Sequence, residues 1–323
     1  MSASPTLADR IEQYLSERRQ LGFAMEDRAL TLRRFARHVE AIDHRGPMTL
    51  EVMTGWARQV KQGGDRGASA RALRSLRPFM RWLQQFEPAT EVPDETVFGP
   101  RPSRRTPHIF RDEEIEALLD AAGRLRPTLR GAVIQTLFGL IACTGLRISE
   151  ALGLIESDVD LGAGVLTVRH GKFGKSRLLP LHPSTVAALR AYRRQRRKQV
   201  PTNPASPFFI ATRGRRLGGP LSDRQAHRLF RQLREELGLV NRGAHDTIRI
   251  HDLRHSFVVR RMLRWRAQGA DVHQRMLALS TYVGHAKISN TYWYLTGVTE
   301  LLQTLGSRFE HFAGGWLEED GDD

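Results

Sequence analysis

Apolar residues recur with helical spacing along most of the chain, and one short segment instead alternates like a β-hairpin. In the first 86 residues the pattern predicts helices around Ile11, around Phe35, over 49–60 and over 70–86. Further helices are predicted over 112–123, 128–143, 183–198, 222–237, 251–268, 272–282 and 298–312, with a short one after Gly145. Residues 165–169 and 177–181 flank a polar, glycine-rich turn and form the predicted hairpin. The expected fold class is therefore mainly α with a small antiparallel β-sheet (α+β).

The helix predicted over 70–86 has an apolar face and a basic face. Its basic positions are Arg71, Arg74, Arg77 and Arg81. A charged face can simply be solvated, but the absence of acidic residues from 70 to 85 favours contact with a DNA backbone. Pro78 lies inside the pattern, so we expect the helix to be kinked or to begin anew there.

The chain has 323 residues and a strong excess of positive charge, with 50 Lys and Arg against 35 Asp and Glu and a formal charge of +15. Most of the cations are arginine, whose planar guanidinium suits bidentate contact with phosphate. Nucleic acid is therefore the leading partner, and a merely soluble basic protein is the alternative that charge alone leaves open. No helix combines a broad aromatic and leucine face with a lysine-rich one, so we do not expect membrane binding.

The single cysteine, Cys143, excludes an internal disulfide and any zinc site that needs two thiolates. Residues 1–13 carry charges where a signal peptide would be apolar, and the most apolar run, 131–146, is too short and too polar to span a bilayer. We expect a cytoplasmic protein that is associated with the bacterial nucleoid when it binds DNA.

Periodicity is lost between residues 88 and 107, where five prolines and three arginines occur. Such a composition is typical of an extended linker, and a basic linker of this length would let two lobes lie on opposite faces of a duplex. The predicted organisation is a helical domain over 1–87, a linker over 88–107, a second domain over 108–315 and an acidic tail over 316–323.

Candidate chemistry is concentrated in the last third of the chain. His251 and Arg254 have the spacing of one helix face, and Tyr294 follows His285 by nine residues. Cleavage of a phosphodiester without metal requires fixed positive charge, a proton acceptor, a proton donor and an aligned nucleophile. All of these residue types are present in this segment.

Two other interpretations of the motifs fail. Gly174-Lys175-Ser176 resembles the end of a phosphate-binding P-loop, but the motif needs glycine at position 169, where this chain has Arg169. His251 and His255 are spaced like the histidine pair of a zinc protease helix, yet the general-base glutamate is replaced by Asp252 and an arginine lies beside the supposed metal. We therefore expect neither a nucleotide nor a metal cofactor.

Two upstream segments add cations. Arg147 follows a buried helix and a glycine turn, and Glu150 at i+3 can fix its guanidinium. The turn of the hairpin carries Lys172, Lys175 and Arg177, which could contact a DNA backbone or minor groove. Taken alone, the first pair would usually be a structural ion pair and the second an ordinary exposed turn.

The order of these motifs resembles the tyrosine recombinase (phage integrase) family. The motifs are T-G-L-R-x-S-E, then a G-K-x-x-K-x-R hairpin, then H-x-x-R, G-H and a tyrosine nine residues later. The resemblance covers roughly residues 112–312 and extends more loosely to the helical domain, which looks like the family's SAM-like core-binding domain. It implies an integrase-type catalytic domain and a C-clamp around DNA.

The resemblance also implies roles for individual residues. Tyr294 would attack the scissile phosphate to give a 3'-phosphotyrosyl link, while Arg147 and Arg254 would hold the non-bridging oxygens. Lys172 would protonate the 5'-oxygen, and His251 would serve in proton transfer with the tyrosine. His285 would bond the phosphate, with Glu150 behind Arg147. No cofactor is needed. Tyr282 and Tyr292 also lie near His285, but the spacing typical of the family selects Tyr294.

The expected function is site-specific recombination through a Holliday junction, for the integration, excision or transposition of mobile DNA. The expected partners are duplex DNA with a recombination site, further copies of the chain (a dimer on each site and a tetramer in the synapse) and other recombinases or accessory proteins. The alternatives are a type IB topoisomerase, which shares the arginine, lysine, histidine and tyrosine chemistry, and a non-catalytic DNA-binding protein. The predicted helix over 298–312 carries an apolar stripe, and in this family such a helix commonly docks into a neighbouring protomer.

Overall fold

The computed structural model describes residues 5–60, 67–94, 96–99, 104–169, 176–285 and 287–297. The predicted helix over 298–312 and the acidic tail lie outside these residues. The chain divides between Arg104 and Arg105 into two compact units, at a point inside the predicted linker. Within the described part of the chain, no helix has both the length and the apolar character that would let it cross a bilayer.

The first unit consists of four helices around their own core. They are α1 (Leu7–Gln20), α2 (Glu26–Ala41), α3 (Leu50–Gln59) and α4 (Ala68–Leu83). A capping box between Thr6 and Asp9 begins α1, because each residue's side chain satisfies the other's backbone N–H. The core is filled by aromatic and aliphatic residues that include Phe35, Trp56 and Phe79.

Helix α4 runs through Pro78 as a single element, so the chain does not begin a new helix there. Its seven buried residues lie on one side. At 100° per residue, the four predicted basic positions fall within an arc of about 120° on the other side. Arg71 and Arg81 are exposed, whereas Arg74 and Arg77 are half-buried.

The segment after α4 is attached to this unit. The backbone N–H of Glu91 donates to the carbonyl of Met48 at 2.8 Å. Val92 and Phe98 pack against the core of the four helices. The described first part of the predicted linker is therefore held by packing, which its proline content did not reveal.

The second unit is mostly helical with one small sheet, so the predicted fold class is confirmed. Its helices are α5 (Asp112–Gly123), α6 (Thr128–Thr144), α7 (Ile148–Leu152), α8 (Pro183–Arg197), α9 (Asp223–Glu236), α10 (Ile250–Ala267), α11 (Val272–Val283) and α12 (Ser289–Gly297). Helix α6 is apolar around most of its circumference because it packs against α5, α8 and α10. It forms the centre of the core.

The sheet contains the predicted hairpin and one additional strand. Its strands are β1 (Val159–Asp160), β2 (Val165–Val168) and β3 (Arg177–Pro180), paired antiparallel in this order. Leu166 pairs with Leu179, and both side chains are buried on the core face. Strand β1 has only two residues, which is too short for a periodic pattern to predict.

Candidate active site

Arg147 and Arg254 meet at the end of α6. Helix α6 ends at Gly145, which adopts a left-handed conformation with φ of 67°. A Cβ at this position would lie 2.6 Å from Cδ1 of Phe257. Glycine is therefore required twice, by the backbone conformation and by the packing of α10. The turn lets Arg147 begin α7 two residues later.

Glu150 fixes two arginines at once. Its carboxylate accepts hydrogen bonds from the backbone N–H of Arg147 at 3.0 Å and from Arg147 Nη1 at 2.7 Å. It also accepts from Nη1 and Nη2 of Arg177 at 3.1 and 3.0 Å. Burial raises the pKa of Glu150, but hydrogen bonds and charge from both arginines outweigh burial and lower this pKa to about 2. The carboxylate is therefore ionised and holds both guanidiniums in place.

Arg254 is almost completely buried, with 1% of its surface exposed. Its Nη1 donates to the carbonyl of Gly145 at 2.5 Å, whereas its Nη2 has no hydrogen-bond partner among the described residues. Burial and the neighbouring charge of Arg147 lower the pKa of Arg254 to about 10. The guanidinium remains charged at neutral pH, so an unpaired N–H on a buried cation is well suited to an anionic oxygen.

The second glycine of the site is Gly284, which ends α11 with φ of 69°. Its carbonyl accepts a hydrogen bond from Nη2 of Arg147 at 2.7 Å. A Cβ there would come within 2.7 Å of Nη1 of Arg177. His285 follows directly, and its Nδ1 hydrogen-bonds Oγ1 of Thr291 at 2.7 Å. The G-H motif thus brings the imidazole beside the arginine pair.

Tyr294 lies on α12 and is fully buried, at 0% exposure. Its hydroxyl lies 2.5 Å from Nδ1 of His255. Its ring is nearly parallel to that of His285, with centroids 6.4 Å apart. Its electrostatic interaction with Arg254 favours the charged guanidinium. The predicted nucleophile is thus in the same pocket as the buried arginine.

The other two candidate tyrosines are engaged elsewhere. The hydroxyl of Tyr282 donates to the carbonyl of Pro180 at 3.2 Å, its ring stacks on Phe257, and burial raises its pKa to about 12. The ring of Tyr292 lies beside His273, with centroids 5.7 Å apart. The geometry therefore favours Tyr294 among the three.

The hydroxyl of Tyr294 contacts His255, which lies one turn after His251 on α10. His251 is exposed, whereas His255 is 7% exposed and contacts the tyrosine. The two rings pack edge to face with centroids 4.7 Å apart. The i, i+4 spacing of this pair was visible in the sequence, where it was considered only as a metal site. Among the described residues, no cluster of three or more His, Cys, Asp or Glu has the geometry of a metal site.

The other predicted site residues lie on the hairpin and on α4. Lys172 and Lys175 lie outside the described residues. Arg177, predicted to bind DNA, is 13% exposed in its side chain and directs its guanidinium to Glu150 and to the carbonyl of Tyr282. The arginines of α4 belong to the first unit.

The second unit has a basic groove of about 500 Å³ that was not predicted from the sequence. Its arginines are Arg130, Arg213, Arg215, Arg216, Arg224 and Arg228. Burial, followed by repulsion from Arg213 and Arg228, lowers the pKa of Arg130. The signals were the dense run at 213–216 and the i, i+4 pair that begins α9, but the segments are joined only by the fold.

Comparison with known proteins gives consistent matches over most of the chain. A model of the phage integrase family matches residues 108–299. The protein y4rB of Sinorhizobium fredii, whose name describes it as an integrase/recombinase, is 36% identical over 312 residues, which cover 94% of this chain and 97% of that protein. Tyrosine recombinase XerD of Mycobacterium tuberculosis is 30% identical over 312 residues, with coverage of 90% and 93%.

Solved structures share the fold at lower identity. The integrase of the transposon Tn1549, in complex with transposon right end DNA, has a TM-score of 0.64 at 18% identity and covers 94% of this chain and 99% of its own. The site-specific recombinase XerH, bound to a palindromic difH substrate, has a TM-score of 0.63 at 18% identity, with coverage of 95% and 86%. These structures match the mainly helical architecture with its small sheet.

Proposed function

Because the chain belongs to the phage integrase family and is a tyrosine-type site-specific recombinase, we propose that Tyr294 is its nucleophile. The Oη atom of Tyr294 attacks the scissile phosphorus as the bond to the 5'-oxygen breaks. The products are a 3'-phosphotyrosyl link and a free 5'-hydroxyl. The energy of the phosphodiester is stored in the covalent link, so a second 5'-hydroxyl can reverse the reaction without ATP.

Arg254 and Arg147 stabilise the charge on the non-bridging oxygens. The observation that carries this proposal is the buried Nη2 of Arg254, which has no partner in the part of the chain that the structure describes. A buried cationic donor without a partner is costly unless an anion completes its hydrogen bonds. His285 bonds the same phosphate. Lys172 protonates the departing 5'-oxygen. These roles require no metal and no cofactor.

The DNA is held by basic surfaces on both units. In the first unit we assign this contact to the arginines of α4, of which Arg71 and Arg81 are exposed. In the second unit the basic groove beside the start of α9 is suited to bind the DNA backbone. Phosphate contacts supply most of the affinity of protein–DNA interfaces.

Recombination joins two DNA sites, so the acting assembly contains several copies of the chain. We propose a dimer on each site and a tetramer in the synapse, with exchange through a Holliday junction. The similarity to proteins named as integrases and recombinases favours the integration, excision or transposition of mobile DNA.

A type IB topoisomerase would use similar residues to relax supercoils. That alternative is not favoured, because the relatives that cover most of this chain are named as integrases and recombinases. A non-catalytic DNA-binding protein would have no need for a buried arginine facing a tyrosine.

Trapping of the covalent intermediate tests the assignment. A binding site is first selected from DNA flanking the gene, and a nicked suicide substrate carrying this site is incubated with the protein. We expect a detergent-stable protein–DNA adduct with the wild type and with Tyr292→Phe, a matched control two residues away. Tyr294→Phe should bind the DNA and form no adduct.

An adduct that persists in Tyr294→Phe would contradict the assignment of the nucleophile. The absence of an adduct from the wild type on a bound site would contradict strand cleavage altogether. Recombinant products rather than relaxed topoisomers from two-site plasmids would separate the recombinase from the topoisomerase.

A further inference from the structure

The hydroxyl of Tyr294 has a buried histidine as its hydrogen-bond partner. Oη of Tyr294 and Nδ1 of His255 are 2.5 Å apart, and the two residues are 0% and 7% exposed. His251, the first histidine of the H-x-x-R motif, is exposed and meets His255 edge to face instead. The family resemblance implies proton transfer by His251, and the structure adds a direct hydrogen bond between His255 and Tyr294.

We infer that His255 accepts the phenolic proton of Tyr294 during the attack on DNA, which rests on the proposed function of Tyr294 as the nucleophile. A phenol has an ordinary pKa near 10 and is therefore protonated at neutral pH. The attack requires removal of this proton, and the acceptor must lie within hydrogen-bond reach of it. Imidazole, with an ordinary pKa near 6.5, is the side chain best suited to this transfer near neutral pH.

The neighbouring groups favour His255 over the other histidine in the pocket. His285 lies parallel to the tyrosine ring with centroids 6.4 Å apart, and its Nδ1 is engaged by Thr291. Arg254 is adjacent to His255 on α10, and successive residues of a helix point about 100° apart. One turn of α10 thus presents a cation for the phosphate and a base for the nucleophile.

Each proton that moves in the reaction has a donor and an acceptor. The proton of Oη moves to Nδ1 of His255 while the bond from Oη to phosphorus forms. The bond from phosphorus to the 5'-oxygen breaks, and this oxygen takes its proton from Lys172. Religation runs the same transfers in reverse, so His255 returns its proton to Tyr294 and neither residue is consumed.

Replacement by asparagine separates proton transfer from positioning. His255→Asn retains a hydrogen-bonding atom near the place of Nδ1 but has no basic nitrogen. We expect the rate of adduct formation on the suicide substrate to fall by about 100-fold or more, the usual effect of removing a general base. DNA affinity should not change. His273→Asn, at an exposed position of α11, should lose less than about 10-fold.

A second substrate identifies which proton is affected. A bridging 5'-phosphorothiolate leaves as a thiolate, which needs no proton because a thiol is far more acidic than an alcohol. This substrate should restore cleavage in Lys172→Ala and should not restore it in His255→Asn. Rescue of His255→Asn by the sulfur would overturn the inference, and so would an Asn variant that cleaves within about threefold of the wild type.

A measurement on the wild type covers the case in which His255→Asn does not fold. Acceptance of the phenolic proton requires an unprotonated Nδ1, and ¹⁵N chemical shifts of labelled histidine distinguish the two tautomers. Assignment of the His255 signal uses His251→Asn for comparison. A proton on Nδ1 at neutral pH would overturn the inference. If the wild type forms no adduct, the proposed function of Tyr294 is wrong. Results on His255 test only the role of this histidine and leave the function of Tyr294 standing.

Discussion

Glu150 is the residue on which the arrangement of the two partly exposed arginines depends. Its carboxylate accepts four hydrogen bonds from Arg147 and Arg177, and its side chain is 5% exposed. Glu150→Gln keeps the shape but directs an amide N–H toward arginine donors. We expect a loss of about 2 kcal/mol in the free energy of unfolding at pH 7, because buried charged donors lose their partner. Urea unfolding of the full chain measures this loss.

The loss at Glu150 should depend on pH. The pKa of this carboxyl is lowered from its ordinary value of 4.5 to about 2 in the folded chain. A lowered pKa stabilises the folded state above pH 4.5, and this stabilisation disappears as the pH falls toward 2. The difference between wild type and Glu150→Gln should therefore shrink over this range. Glu116→Gln, at an exposed position of α5, is the control and should change little at any pH. A difference that stays constant from pH 7 to pH 3 would refute this account.

At the scale of elements, periodicity predicted helices well and the direction of their side chains poorly. The predicted helix over 251–268 corresponds to α10, Ile250–Ala267. The pattern could not tell which histidine of α10 meets the tyrosine, because that depends on how α12 packs against it. The ion pair of Arg177 with Glu150 was missed for the same reason, since it joins β3 to α7 across the fold.

The basic face of α4 provides a test at this scale. Each phosphate that a cation neutralises contributes about 0.9 to the slope of log affinity against log salt. Replacing the exposed Arg71 and Arg81 together by glutamine should therefore reduce this slope by about 1.8, equally on cognate and unrelated DNA. Binding titrations at several salt concentrations give the slope.

The matched control for α4 removes the same charge from the same unit. Arg33 and Arg45 are paired with Glu12 and Asp43, so their contribution to DNA binding should be small. Arg33→Gln/Arg45→Gln should leave the slope within about 0.5 of the wild type. An equal reduction in both double variants would mean that net charge, not the face of α4, determines the binding.

At the scale of the whole molecule, the site is assembled from distant segments. Arg147 precedes α7, Arg254 and His255 belong to α10, His285 follows α11 and Tyr294 is on α12. The sequence revealed the motif residues through their order and spacing. The local spacing of His255 and of the groove arginines was visible in the sequence but did not show what they contact, because only the packing of α10 on α12 and of α9 on its neighbours brings those residues together.

The last 26 residues provide the final test, at the scale of the assembly. Residues 298–323 lie outside the described residues, and their sequence predicts an amphipathic helix with an apolar stripe at Val298, Leu301, Leu302, Leu305, Phe309 and Phe312. If this stripe docks on a second copy, a chain that ends at Gly297 will still bind a single site but will neither form a synapse nor recombine. Gel-shift and plasmid recombination assays measure these steps separately.

A chain that ends at Gly315 lacks only the region of the acidic tail and should recombine normally. Leu301→Ser/Leu305→Ser should behave like the longer deletion, since a stripe needed only inside its own protomer would reduce single-site binding as well. Recombination by the chain that ends at Gly297 would exclude this role of the terminal segment, and it would leave Tyr294 of each copy independent of its neighbours.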